Sequence, residues 1–188
     1  MREIDDPQFS AELTWGIPLE GLEQRLRPDH TSGVGFLGEH ESLLEVVHSD
    51  WQVVQECGTT HNQIAEALED LLKGQGRTTA GFEFRTKDAI EGIRTEVLGY
   101  QKCPWECSQM GKTIGVIASA QTFQEREREI SMAALDFFVD RSPDAASKFV
   151  VVTGLLPHLI RQHYFFEGRQ SPYRADPTLL IQAFGLNR

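Results

Sequence analysis

Cysteine is scarce: Cys57, Cys103 and Cys107 are the only three in 188 residues. So few, and an odd number, do not make the framework of a disulfide-stapled secreted domain. Long apolar runs are missing too. The longest stretch, "KFVVVTGLLPHLI", is broken by polar residues and by Pro157, and is too short for a membrane span. The opening "MREIDDPQFSAEL" lacks the apolar core of a signal peptide, so a cytoplasmic protein is expected. Cations are in the minority, with 18 Lys and Arg against 28 Asp and Glu and a net charge of −10. The basic residues Arg25, Arg27, Arg161, Arg169, Arg174 and Arg188 form no run. An acidic surface repels phosphate backbones, which disfavours nucleic acid and suits a basic protein partner. There is no internal repeat and no HExxH motif. The glycine-rich "TSGVGFLG" at 31–38 lacks the Lys-Ser/Thr ending of a phosphate loop and is read as a flexible loop.

The composition that remains is that of an ordinary globular chain, 40% hydrophobic and 24% charged, long enough to bury a core without cross-links. Residues 1–38 are rich in proline, glycine and charge and read as an irregular arm, with a short helix at "PLEGLEQRL". From residue 39 the pattern changes. Leu43, Leu44, Val47, Trp51 and Val54 recur at helical spacing, and Gly58 stops that helix. "THNQ" at 60–63 has the spacing of a capping box, and Ile64, Leu68, Leu71 and Leu72 form the apolar face of a second helix ending near Gly74. The two make a helical hairpin over 39–74. The same layout could be a DNA-reading helix-turn-helix, but the second helix displays Glu66, Glu69 and Asp70, and its only cation is Lys73 at the far end.

Between residues 80 and 153 the period shortens. "FEFR", "IRTEVLGYQ", "TIGVIAS", "SMAALDFFVD" and "KFVVVTG" have strand character, and "RSPDAAS" reads as a hairpin turn. Over 154–188, "PHLIRQHYFFE", stopped by Gly168, and "PTLLIQAFG" read as short helices with proline in the first turn. The order predicts an α+β domain over 39–188: an N-terminal helical hairpin, an antiparallel sheet in the middle and short C-terminal helices.

"YQKCPWECSQM" concentrates two of the three cysteines. Thiolates are soft ligands that favour zinc, and His158 and His163 have a spacing found in zinc-binding histidine pairs. The candidate site is therefore Cys103, Cys107, His158 and His163, with zinc as its cofactor. One geometric objection stands: residues five apart on a helix lie roughly 140° apart around its axis. His158 then has to sit on the first turn, or the helix has to be distorted. The competing reading is that both cysteines are small buried core residues. Cys57 and His61 form a second, weaker pair. "HYFFEG" to "SPYRADP" brings aromatics together with Arg161, Glu167, Arg174 and Asp176, which could lock a loop or line an anion pocket.

Without a pattern for catalysis, a structural site is expected. The function expected is a non-enzymatic, zinc-containing binding protein that works through protein contacts. A metal- or cysteine-dependent hydrolase using the same four residues is the alternative, and an acidic helix-turn-helix regulator the second alternative.

Overall fold

The computed structural model describes residues 7–74, 82–85, 91–97, 102–107, 132–140 and 148–186. In chain order these hold α1 (Pro7–Thr14), α2 (Leu19–Leu26), α3 (Leu43–Glu56), α4 (His61–Gly74), β1 (Phe82–Arg85), β2 (Glu91–Val97), β3 (Met132–Asp140), β4 (Lys148–Thr153), α5 (Leu156–His163) and α6 (Pro177–Ala183). None of these helices is long and apolar enough to cross a membrane. "TIGVIAS" and "RSPDAAS" lie outside the described residues.

The helical hairpin forms for the reasons its sequence suggests. Ser42 caps α3 by accepting from the Glu45 N–H. At its other end Gly58 takes a left-handed φ of 70°, which lets the Thr59 N–H reach back to the Val54 carbonyl at 3.2 Å. Thr60 Oγ1 accepts from the Gln63 N–H at 3.2 Å and donates to the Gln63 side chain at 3.0 Å. The apolar face of α4, Ile64, Leu68 and Leu72, packs with Val54 of α3, Leu156 and Ile160 of α5, and Leu180 and Ile181 of α6.

A second cluster contains the segment expected to be an irregular arm. Residues 7–38 carry two helices rather than one. Their apolar residues come in i, i+4 pairs, Phe9 with Leu13 and Leu22 with Leu26, and all four are buried. They pack with Phe36, Leu37, Leu43, Val47, Trp105, Leu159 and Phe165. The glycine-rich loop is tied down: Phe36 and Leu37 both donate to the Leu26 carbonyl, and Gly168 donates to Phe36.

The expected fold class, α+β with an antiparallel sheet as the middle layer, needs correction. The body whose packing is described is 52% helix and 4% strand, with no sheet inside it. Segments β1 to β4 are traced as antiparallel neighbours in sequence order. Val152 and Thr153 at the end of β4 are buried in that body. The strand-like periodicity is a local property, whereas the core comes from apolar stripes on helices that are distant in sequence. Helices α5 and α6 return to α3 and α4 and close the core without a sheet between them.

Helix α5 also stops earlier than its pattern suggests. Tyr164 adopts a left-handed φ of 56°, and the next N–H, of Phe165, bonds to Leu159 at 3.2 Å. Beyond the helix end, Phe165 enters the second cluster and Phe166 the first. A helix could not point consecutive residues into two cores lying on opposite sides of the chain.

Candidate metal centre

The knuckle at 103–107 is a tight turn. Glu106 takes a left-handed φ of 55° and its N–H bonds to the Cys103 carbonyl at 2.9 Å. The N–H groups of Trp105 and Cys107 both point onto the Cys103 sulfur, an arrangement that favours a thiolate there. Outside contacts fix the knuckle in place. Trp105 Nε1 donates to the Leu13 carbonyl of α1 at 2.8 Å, and Glu106 pairs with Arg25 of α2 at 3.3 Å.

Helix α5 supplies both histidines, His158 from its first turn and His163 as its last residue. The early stop at Tyr164 is what answers the geometric objection, because neither histidine sits in the helix interior. Their rings turn toward each other, with centroids 5.3 Å apart and planes at 75°.

The four side chains converge. Cys103 Sγ and Cys107 Sγ are 3.6 Å apart, and His163 Nε2 lies 3.4 Å from Cys103 Sγ and 3.2 Å from Cys107 Sγ. With His158 included, one ligand atom from each residue lies within 4.8 Å of all the others. The sulfur separation is far beyond the roughly 2.05 Å of a disulfide bond. Zn–S bonds near 2.3 Å and Zn–N bonds near 2.05 Å imply tetrahedral edges of about 3.8 Å for S···S and about 3.6 Å for S···N. The separations among Cys103, Cys107 and His163 are those edges, shortened by a few tenths of an ångström. Cys103, Cys107, His158 and His163 could therefore hold a metal ion.

All four are buried, at 2%, 0%, 8% and 0% exposure respectively. The electrostatics are those of a thiol pair sharing protons. Contact with Cys107, then burial, pushes the Cys103 thiol up. The hydrogen bond from Cys103, supported by the histidines, holds Cys107 well below the ordinary thiol range. A buried pair poised between thiol and thiolate is suited to exchanging its protons for a cation. His158 faces Cys107, and among the described residues its buried Nε2 has no hydrogen-bond partner.

Two aromatic rings bracket His163. Trp105 stacks on it at 4.1 Å and 10°, and Trp15 lies against it at 4.7 Å and 54°. The sequence marks Trp105 only as a neighbour of the cysteines and gives no sign of Trp15, which lies 148 positions before His163.

The second cysteine–histidine pair does not join the site. Cys57 is half-buried beside the first cluster, and His61 sits among Trp51, Tyr164 and Phe166, where burial lowers its pKa to about 4. The loop residues behave as structural locks. Arg174 holds Asp50 through two hydrogen bonds of 2.6 Å and reaches the Glu167 carbonyl. Arg161 pairs with Glu69 and bonds Asn62, covering part of α4. Asp176 caps α6.

Comparison with protein-family models, curated proteins and solved structures finds no match.

Proposed function

We propose that the protein is a non-enzymatic, cytoplasmic binding protein whose fold is closed by a structural zinc ion on Cys103, Cys107, His158 and His163. One observation carries the reading: four soft or borderline ligand atoms from segments some fifty residues apart meet within 4.8 Å of one another in a buried pocket, those of Cys103, Cys107 and His163 close to tetrahedral edge lengths. A closed set of four protein ligands suits a structural ion, because catalytic sites keep a position open. The Cys107–His163 contact of 3.2 Å is the spacing of a thiolate–imidazole nucleophile, which favours the hydrolase reading. Burial of both residues at 0% opposes it, since no substrate atom can reach the sulfur.

Elemental analysis of purified protein tests the proposal, followed by replacement with cobalt(II). One zinc per chain and the visible absorption of tetrahedral, thiolate-bound cobalt are expected, with loss of structure around the knuckle and the N-terminal helices on chelation. Protein that carries no metal and folds equally well in chelator would remove the site. A metal that leaves the fold intact on removal and binds an exchangeable water would favour the hydrolase.

The acidic balance, −10 overall, supports a basic protein as partner and disfavours DNA. Titration at low salt with duplex DNA and with a basic model protein separates the two. Salt-sensitive, sequence-specific DNA binding would restore the helix-turn-helix regulator.

A further inference from the structure

We infer that Trp15 and the end of α1 form a gate over the metal centre, so that metal exchange requires this segment to lift. The inference rests on the zinc reading above and adds the positioning residues and the route of entry.

The geometry is directional. His163 is 0% exposed, Trp105 is fully buried and stacks on it, and Trp15 lies tilted against it while itself only half-buried. Trp105 is therefore the inner wall and Trp15 the outer one. The outer wall is joined to the rest of the chain by a sharp turn. Trp15 and Gly16 follow α1 with left-handed φ values of 53° and 79°, and α1 itself is only eight residues long. Helix α1 meets the metal knuckle through the Trp105 bond to the Leu13 carbonyl.

Metal bonded to His163 withdraws electron density from the imidazole, and an electron-poor ring is held more tightly by the stacked Trp105 and the tilted Trp15. Metal occupancy and the seating of α1 therefore favour each other. The coupling is reciprocal: whatever lifts Trp15 weakens metal binding, and metal removal loosens α1. Groups that fix the orientation of a metal-ligating histidine commonly change affinity by about 10- to 100-fold when replaced.

The test uses the full-length zinc protein and follows transfer of zinc to a chromophoric chelator. Trp15→Leu should release zinc about tenfold or more faster than wild type, and Trp15→Phe, which keeps a ring on His163, should recover most of the difference. Trp51→Leu is the control, because Trp51 contacts Phe9 of α1 at 6.0 Å but is not stacked on His163. It should release zinc within about twofold of wild type. Equal release from Trp15→Leu and wild type overturns the gate, and so does equal acceleration by Trp51→Leu, which would mean general loosening. If Trp15→Leu does not fold, amide exchange of residues 9–17 in wild type decides: protection that falls on chelation before that of α4 supports the gate, and unchanged protection overturns it. Wild-type protein that carries no metal defeats the zinc reading and the gate together, whereas zinc with unaltered release in the variants defeats the gate alone.

Discussion

The two hydrophobic clusters are built by different means. The first joins α3, α4, α5 and α6, two of them fourteen residues long, through apolar stripes at helical spacing. The second gathers two eight-residue helices, a glycine-rich loop and a five-residue knuckle around Trp105, against the first half of α3 and Leu159 of α5. Helices of eight residues are too short to be stable alone, and a loop contributes few apolar contacts for the backbone entropy it costs. The candidate ligands sit where this second cluster meets α5. What the difference teaches is that a metal ion is of most use where secondary structure is least able to support itself.

Removing the metal should break the comparison most visibly. A structural zinc site can supply on the order of 10 kcal/mol of apparent binding free energy, comparable with the net stability of a domain. Cys107→Ser and His163→Ala should each lose metal and lower the thermal midpoint sharply. Amide exchange should rise across residues 9–38, 102–107 and α5, and much less across 43–72. Uniform loss of protection over both clusters would show that they unfold as one unit and that the contrast is only geometric.

Much of the first cluster was legible in the sequence, because its determinants are local. Ser42, Gly58, the Thr60–Gln63 box and the stripe of Ile64, Leu68 and Leu72 each announce themselves within one or two turns. The four candidate ligands were legible too, through the rarity of cysteine and the chemistry of sulfur and imidazole. Their convergence depends on Tyr164 ending α5 in a left-handed turn, which a bulky aromatic does not advertise. Of the N-terminal helices, α2 was legible at "PLEGLEQRL", whereas α1 was hidden because it shows a single i, i+4 apolar pair, Phe9 with Leu13, too little periodicity to stand out among proline, glycine and charge. The sheet expected as a middle layer was misjudged because alternation reports only local extension. Which elements form the core depends on contacts between distant segments.

At the seam between the clusters, Arg174 offers a sharper probe than either interior. Asp50 is 2% exposed, and burial raises its pKa while Arg174 opposes the rise. Arg174→Met should cost about 3 kcal/mol, because it strands a buried carboxylate. Adding Asp50→Leu should recover part of that loss, and denaturant unfolding of the four proteins of the cycle measures it. A strictly additive double mutant would show that the pair does not join the clusters.

Glu167 lies on the same seam, between Phe166 and Gly168, and is completely buried. Burial pushes its carboxyl up to about 8, although the Ser171 hydroxyl and the charge of Arg174 pull the other way. The folded chain therefore keeps a proton that the unfolded chain releases above its ordinary value of 4.5. Stability should fall as pH rises from 4.5 toward 8 and level off beyond, since the native state binds more protons throughout that window. Glu167→Gln removes the titration, so its stability relative to wild type should improve across the same range. Parallel stability–pH curves for the two proteins, measured at saturating zinc, would show that Glu167 does not titrate there.

The smallest effect belongs to the hairpin. Thr60 Oγ1 accepts from the Gln63 N–H at the start of α4, and removing such a cap costs about 1 kcal/mol. Thr60→Ala leaves the apolar face of α4 intact. The loss should be a modest shift of the unfolding midpoint with the slope against denaturant unchanged, because the surface exposed on unfolding is the same. If the first cluster is the self-sufficient one, that increment should persist in metal-free protein, where α3 and α4 remain as the residual structure. If it disappears once metal is removed, α4 is no longer folded in the apo state. The hairpin would then depend on the metal as much as the N-terminal helices do.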